Sequence, residues 1–162
     1  MLWLLRHGDA EAGHPDEARA LTARGRAQAQ TAGTALSRLG VKIDACLSSP
    51  KRRALQAAEL ACTPLGLSVS LQPALADSDY DAALLAAGLG EVLLVGHNPS
   101  LSQAVHDLTG ARVNLRKGGL AAVSGRELAL LLGPRELAAI AGAPPQEAGS
   151  GTAPAPAPGE SP

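Results

Sequence analysis

Aromatic side chains are almost missing from this sequence, which has no Phe, one Trp and one Tyr among its 162 residues. Any core must therefore be built mainly from Leu, Ala and Val, and such small side chains allow helices to lie close to a sheet. At this length we expect one domain with a core of substantial size, together with some excess chain.

The sequence also has only two cysteines and almost no net charge. Cys46 and Cys62 have neither C-x-x-C spacing nor a secretory context, so we expect reduced core thiols and no metal site. The formal net charge of −1 gives no signature of a polyanion-binding protein, which disfavours nucleic acid as the main partner. No apolar run approaches membrane-spanning length and no signal-peptide pattern is present, so we expect a cytoplasmic protein without a membrane partner.

The chain begins with an apolar run that becomes polar within one residue. Residues 2–5 (LWLL) are typical of a strand that is buried on both faces of a sheet, and Arg6, His7 and Gly8 follow it directly. In open α/β sheets, ligands bind outside the carboxyl ends of the strands. Gly8 has no side chain to keep a ligand from the backbone. This junction is therefore a candidate site.

The rest of the chain alternates predicted strands and helices. Strands are predicted at residues 43–47, 67–71 and 91–95, and a hairpin at residues 120–123 and 127–132. Helices are predicted at residues 23–39, 50–66, 81–87 and 100–108, and a short one from Pro134. Pro, Ala, Gly and Ser dominate from residue 142 onward, so we predict a domain over residues 1–141 and a disordered tail over residues 142–162.

The first two predicted helices carry start signals. Thr22 is expected to cap the helix at residues 23–39, which Gly40 ends, and Pro50 is expected at the first position of the next helix with Ser49 as its cap. The three- and four-residue spacing of the first helix predicts one buried stripe and one face directed elsewhere. The stripe is Gly25, Ala29, Ala32, Leu36 and Leu39, and the other face is Arg24, Gln28, Thr31 and Arg38.

Two further strand ends carry the same kind of residue as the first. Ser49 and Arg53 follow the predicted strand at residues 43–47, and His97 follows the strand at residues 91–95. If these strands are parallel neighbours, two imidazoles and two guanidiniums meet at one edge of the sheet. Arginines and a helix N-terminus favour a phosphoryl anion, and one histidine can attack phosphorus while the other donates a hydrogen bond to its oxygens. The set indicates phosphoryl chemistry without a metal.

These motifs resemble, in order and approximate spacing, the histidine phosphatase (phosphoglycerate mutase-like) superfamily. The short chain and its Arg-His-Gly-Asp-Ala start are most similar to the SixA-type phosphohistidine phosphatases, and the resemblance extends over about residues 1–132. The resemblance implies an α/β fold, namely a three-layer α/β/α sandwich with a mostly parallel sheet. It also implies an enzyme that needs no cofactor. It also implies that His7 carries the phosphoryl group transiently while Arg6, Arg53 and His97 clamp it. Gly8 and Ser49 are candidate substrate-binding residues.

One feature departs from the superfamily pattern. Larger members have a glutamate general acid after the third strand, whereas this chain has no glutamate in the corresponding stretch of residues 73–79. Asp9, Asp77 and Asp79 are the candidate substitutes, and the sequence does not rank them. Efficient hydrolysis of alkyl phosphates is therefore not expected, because an alkoxide leaves poorly unless it is protonated.

The leading hypothesis is a metal-independent phosphatase that acts on phosphohistidine in a partner protein and releases inorganic phosphate. Two alternatives remain open at this point. The chain could hydrolyse a small phosphorylated metabolite, or it could be a module that binds a phosphorylated ligand without turnover. The intact His7 argues against the second of these alternatives.

Overall fold

Six strands form one central sheet in the computed structural model, which describes residues 1–144. The strands are Leu2–Arg6 (β1), Ala45–Ser48 (β2), Val69–Leu71 (β3), Val92–Gly96 (β4), Leu120–Ser124 (β5) and Glu127–Leu132 (β6). Their order is β3-β2-β4-β1-β5-β6. The four strands from β3 to β1 are parallel, and β5 and β6 form an antiparallel hairpin beside β1. The mostly parallel sheet was predicted from the sequence.

Helices cover both faces of this sheet. They are Ala23–Arg38 (α1), Arg52–Cys62 (α2), Ala82–Ala86 (α3), Ser100–Thr109 (α4) and Pro134–Ala141 (α5). One buried cluster joins a face of the sheet to α1, α2 and α5, and a second joins the other face to α3 and α4. The three-layer α/β/α sandwich is thereby confirmed. Within residues 1–144, no helix is both long and apolar enough to cross a membrane.

Helix α1 begins as predicted but buries more of its surface than predicted. The Oγ1 atom of Thr22 accepts a hydrogen bond from the backbone N–H of Gly25 at 3.0 Å, as an N-cap does. Gln28 and Thr31, which were assigned to another face, are buried, whereas Leu39 is 48% exposed. The prediction was wrong at these positions because α1 packs against α2 and α5 as well as the sheet, and it ends before Leu39.

Helix α2 begins two residues later than predicted. Lys51 lies at its N-cap position without a side-chain cap, and Pro50 lies outside the helix. The Oγ atom of Ser49 accepts a hydrogen bond from the N–H of Lys51 at 3.3 Å, so Ser49 orders the turn before the helix without capping it. The predicted cap was wrong because the hydroxyl of Ser49 also contacts the histidine that follows β4, and a local sequence pattern does not contain that contact.

Helix α5 ends where the predicted tail begins. Gly142 has a positive φ of 60° and ends α5, and the N–H of Ala143 donates to the carbonyl of Ala138 at 2.9 Å. Gly142 and Ala143 of the predicted tail are therefore joined to α5, and residues 145–162 lie outside the described residues. Cys46 and Cys62 are free and buried, as predicted.

Candidate active site

The sheet brings the three predicted strand ends together. Arg6 on β1 pairs with Gly96 on β4, and Val95 on β4 pairs with Ser48 on β2. The backbone hydrogen bonds to β4 continue for one residue beyond the ends of β1 and β2. The N–H of His7 donates to the carbonyl of Gly96 at 3.1 Å, and the N–H of Ser49 donates to the carbonyl of Val95 at 3.0 Å. The side chains that follow β1, β2 and β4 consequently emerge side by side at one edge of the sheet.

His7 is held in a single tautomer. Its Nδ1 atom lies 2.6 Å from the carbonyl oxygen of Gly8. Since a carbonyl can only accept, Nδ1 carries the proton and Nε2 keeps its lone pair. The Nε atom of Arg53 donates a hydrogen bond to this Nε2 at 3.3 Å. The nitrogen that is free to act as a nucleophile therefore faces a guanidinium group.

Burial and positive charge keep both site histidines neutral. The pKa of His7 is lowered to about 4, chiefly by burial, which the hydrogen bond to the Gly8 carbonyl opposes and the charges of Arg53, Arg6 and Lys117 assist. Burial likewise lowers the pKa of His97 to about 3, with help from His7 and Arg53. At neutral pH both imidazoles are uncharged, which a nucleophilic nitrogen requires.

His97 lies against His7. The centroids of the two rings are 5.1 Å apart, with 60° between the ring planes. The Nε2 atom of His97 is 2.8 Å from the Oγ atom of Ser49, and Ser49 is fully buried. The Nδ1 atom of His97 is buried and has no hydrogen-bond partner within residues 1–144. Ser49 therefore orients the second imidazole beside the first.

Arg53 is fixed by a carboxylate that the sequence did not single out. The Nη2 atom of Arg53 lies 3.0 Å from Oδ2 of Asp16, and its Nη1 atom donates to the backbone carbonyl of Asp16 at 2.6 Å. The Nζ atom of Lys51 contacts the same Oδ2 at 3.3 Å. The hydrogen bond from Arg53, helped by Lys51, lowers the pKa of Asp16 to about 2. Arg53 is 6% exposed and lies in the site, not on a solvated helix face.

Asp16 was missed for a reason that lies in the sequence. The loop at residues 9–21 carries four acidic side chains (Asp9, Glu11, Asp16 and Glu17), and no spacing selects one of them. The only available signal was the charge balance, because two arginines that converge on a buried site require a counterion. That argument predicts a carboxylate near Arg53 without identifying it.

Arg6 is fixed by the loop that precedes β5. Its Nη1 atom donates to the carbonyl of Leu115 at 2.9 Å, and Nδ2 of Asn98 donates to the same oxygen at 2.9 Å. The N–H of Gly118 donates to the carbonyls of Arg6 and His7, both at 3.1 Å. Within residues 1–144 the Nε atom of Arg6 is buried without a partner. The loop thus ties the second guanidinium to the end of β1.

Gly8 and Asp9 each make a structural contact that the sequence did not predict. A Cβ atom on Gly8 would overlap the backbone of Gly25 and approach the side chain of Gln28, so the glycine admits helix α1. Asp9 pairs with Lys117 at 2.8 Å, and this hydrogen bond lowers the pKa of the Asp9 carboxyl. An ionised carboxylate is a poor proton donor at neutral pH.

Asp77 and Asp79 follow β3 and are both exposed. Asp79 lines a separate cavity together with Tyr80 and Asp107. In the part of the chain that the structure describes, neither carboxylate makes a hydrogen bond or ion pair with Arg6, His7, Arg53 or His97. The structure therefore unites the four predicted catalytic residues with Gly8 and Ser49, and does not join these two carboxylates to them.

The arrangement can perform nucleophilic chemistry on an anion. It places a neutral imidazole nitrogen beside two guanidiniums, which match phosphoryl oxygens in geometry and charge. Within residues 1–144, no group of three His, Cys, Asp or Glu side chains is placed to hold a metal ion.

Comparison with known proteins agrees with this chemistry. The sequence profile of the histidine phosphatase superfamily (branch 1) matches residues 2–85, which include Arg6, His7 and Arg53. An uncharacterised protein of Picosynechococcus is 32% identical, over 74% of this chain and 81% of that protein. The structure of the protein histidine phosphatase SixA complexed with tungstate is similar at a TM-score of 0.74 and 26% identity, over 82% of this chain and 96% of that one. A candidate alpha-ribazole-5′-P phosphatase from Escherichia coli shares the fold at a TM-score of 0.65 and 21% identity, over 82% of this chain and 96% of that one.

Proposed function

The chain belongs to the histidine phosphatase superfamily and is a phosphatase, and we propose that it hydrolyses phosphohistidine in a partner protein through a phosphoryl intermediate on His7. One observation carries the proposal. The Nδ1 hydrogen of His7 is bound to the Gly8 carbonyl, so Nε2 carries the lone pair, which accepts a hydrogen bond from the guanidinium of Arg53. Nucleophile and anion clamp are thus in contact before a substrate arrives.

The reaction has two steps. In the first, Nε2 of His7 attacks phosphorus, the bond from phosphorus to the leaving group breaks, and the leaving group keeps the electron pair of that bond and receives its proton from solvent. In the second, water attacks phosphorus, the Nε2–P bond breaks, inorganic phosphate is released and the proton of the water passes to solvent. Because Arg53 donates to Nε2 in the free protein, that N–H must turn to a phosphoryl oxygen when Nε2 attacks.

The surrounding residues supply stabilisation by position and charge, as phosphoryl transfer requires. Arg6 and Arg53 bind the phosphoryl oxygens, and His97 donates a hydrogen bond to them while Ser49 holds its ring. Arg6 and His97 each have one buried nitrogen without a partner within residues 1–144, and hydrogen bonds to an oxyanion satisfy donors of this kind. The two arginines supply the positive charge that a metal ion provides in other phosphatases, so the mechanism needs none.

Two observations support phosphohistidine as the substrate. The similar solved structure of SixA is that of a protein histidine phosphatase. In addition, Asp9 is ion-paired with Lys117 and so is a poor general acid, which favours a leaving group that departs without strong acid assistance. The structure from Escherichia coli is 21% identical and supports only the shared fold.

Acid-quench trapping with a labelled phosphohistidine peptide tests this proposal. We expect a phosphoenzyme on the wild-type protein and none on His7→Asn, which should also lose nearly all turnover. His14→Asn is the matched control, because His14 is exposed in the loop at residues 9–21, and it should retain both. If His7→Asn kept a tenth of wild-type activity, or if the wild-type protein bound the peptide without hydrolysing it, the mechanism would be wrong.

A further inference from the structure

A basic cavity of about 440 Å³ opens beside the active site, between the start of α1, the start of α5 and the loop before β5. Four of its lining side chains are cationic, and one is anionic. The cations are Arg24, Arg116, Lys117 and Arg135, and the anion is Asp9. The volume lies within the range of about 300–1,000 Å³ that is usual for ligand pockets. None of the four cations takes part in the proposed chemistry.

The cavity is connected to the catalytic histidine through the backbone. Asp9 is two residues from His7 along the chain. Lys117 precedes Gly118, whose N–H donates to the His7 carbonyl at 3.1 Å. Gln28, which also lines the cavity, accepts a hydrogen bond from the N–H of Asp9 at 2.9 Å. The wall of the cavity and the backbone that holds His7 are therefore built from the same residues, and the charge of Lys117 helps to lower the pKa of His7.

Three of the four cationic side chains have no ion-pair partner within residues 1–144. Lys117 is paired with Asp9, but Arg24, Arg116 and Arg135 are exposed and make no side-chain hydrogen bond or ion pair with any other residue of the range 1–144. Glu136 lines a neighbouring cavity, which Arg116 lines as well, but the two side chains make no ion pair within residues 1–144. In a chain whose net charge is −1, three unneutralised guanidiniums around one cavity form a local anion-binding surface.

We propose that this cavity binds a second anionic group of the substrate, which in a phosphoprotein is an acidic side chain next to the phosphohistidine. The inference rests on the proposed function and adds a preference for flanking sequence. Guanidiniums bind carboxylates in a two-pronged geometry, and Asp9 already neutralises Lys117, so the incoming carboxylate is directed to the three arginines. Because these groups are exposed, salt weakens the preference.

The test compares two phosphohistidine peptides that differ only in Glu or Gln on either side of the phosphohistidine. We expect the full-length protein to hydrolyse the Glu peptide with about tenfold higher kcat/KM at low salt, the size that two or three exposed ion pairs provide. In Arg24→Gln/Arg135→Gln this ratio should fall towards one. Arg126→Gln is the control, since Arg126 lies in the β5–β6 turn at the opposite edge of the sheet, and its ratio should match that of the wild type.

A second pair of substrates separates this inference from the proposed function. Two aryl phosphates with equal leaving-group pKa are used, one of them with a carboxylate on a flexible arm. If neither peptide is hydrolysed, the phosphohistidine proposal fails and the aryl pair still measures the preference for a second anion. A wild-type ratio near one for every pair that is hydrolysed would overturn the cavity assignment. An equal fall of the ratio in Arg126→Gln would do so too, because it would indicate only the field of the whole protein.

Discussion

The Nε atom of Arg53 donates a hydrogen bond to Nε2 of His7 across 3.3 Å. The arginine therefore occupies the lone pair that is needed for attack, while the Gly8 carbonyl holds the opposite ring nitrogen. Two contacts fix the imidazole plane, and one of them comes from the group that binds the phosphoryl oxygens in the proposed mechanism. In that mechanism, orientation of the nucleophile and recognition of the anion depend on the same side chain.

Arg53→Lys keeps the positive charge but removes the planar fork that reaches His7 and Asp16 together. We expect kcat/KM to fall by about tenfold or more, since lysine does not replace arginine at a two-pronged site. Steady-state kinetics with an aryl phosphate measure the loss. Arg52→Lys is the matched control, because Arg52 is the exposed neighbour on the same helix. If both variants equal the wild type, Arg53 supplies charge alone.

Asp16→Asn should impair catalysis, although Asp16 does not touch the reacting atoms and acts through Arg53. It removes the carboxylate that pairs with Arg53 and Lys51, although the backbone carbonyl of residue 16 still accepts from Arg53. We expect about a tenfold loss in kcat/KM, because a misplaced clamp lowers transition-state stabilisation. Kinetics with an aryl phosphate locate the loss: a lower kcat with an unchanged KM shows that it arises in the transition state. Glu17→Gln, at an exposed neighbour, should have no effect, and an equal loss in it would contradict this role.

The sequence predicted the parts of the site that lie at strand ends. Arg6, His7 and His97 follow continuously apolar strands, and buried parallel strands have their carboxyl ends at one edge, so their convergence follows from pattern alone. Arg53 reaches the site only if the helix turns its side chain towards the strand ends. The predicted helix did so, although α2 begins two residues later than predicted. The convergence of these four side chains was therefore predictable, whereas their catalytic roles rest on the family resemblance and remain part of the proposed function.

The supporting residues were not predictable in the same way. Asp16, Leu115 and Lys117 contact the site from loops, and the position of a loop residue depends on tertiary contacts that no local period encodes. Gln28 was placed on the wrong face of α1 because its partner, the N–H of Asp9, comes from such a loop. Side chains that hold the catalytic groups in place are found from contacts, not from spacing.

The two buried histidines should make stability fall as the pH decreases. Burial lowers the pKa of His7 to about 4 and of His97 to about 3, from 6.5 in the unfolded chain. The unfolded state thus binds more protons below pH 6.5, and the free energy of unfolding decreases there by at most about 1.4 kcal/mol per pH unit for each histidine. Urea unfolding between pH 7 and 4.5 measures the slope. The ion pair of Asp16 with Arg53 does not contribute to this slope, because the pKa of Asp16 is about 2 and the pair is lost only below the measured pH range.

His7→Gln removes one of the two titrating groups and should reduce this slope by up to half. A wild-type free energy of unfolding that stays constant from pH 7 to 4.5 would show that the buried histidines do not resist protonation.

The close approach of α1 to the site depends on Gly25. A Cβ atom there would overlap the carbonyl oxygen of Asp9, and one on Gly33 would overlap the backbone of Ala61 in α2. We expect Gly25→Ala and Gly33→Ala each to lower the free energy of unfolding by about 1–3 kcal/mol, as overpacking does. Only Gly25→Ala should also reduce activity per folded molecule, because it displaces the segment that carries His7. Denaturation curves and kinetics on the folded fraction separate the two effects, and equal loss of activity in both would refute this distinction.

The rate should depend steeply on the leaving group, because none of the candidate carboxylates is placed as a strong general acid within residues 1–144. Asp9 is ionised through its pairing with Lys117, and Asp77 and Asp79 are exposed and make no hydrogen bond or ion pair with the site residues in this range. Imidazole has a conjugate-acid pKa of about 6.5 and can be protonated before the P–N bond breaks, whereas a sugar alkoxide needs a proton as it departs.

We therefore expect phosphohistidine and activated aryl phosphates to be hydrolysed with kcat/KM at least about a hundredfold above that for sugar and glycerate phosphates, since general acid catalysis of departure is worth that much. Asp9→Asn, Asp77→Asn and Asp79→Asn, made singly, identify a weak acid if one exists. A variant that slows alkyl substrates more than phosphohistidine marks it, because only the poorer leaving group needs the proton. If 3-phosphoglycerate or a sugar phosphate exceeded phosphohistidine in kcat/KM, an acid must act on the leaving group, and the metabolite alternative would replace the protein substrate.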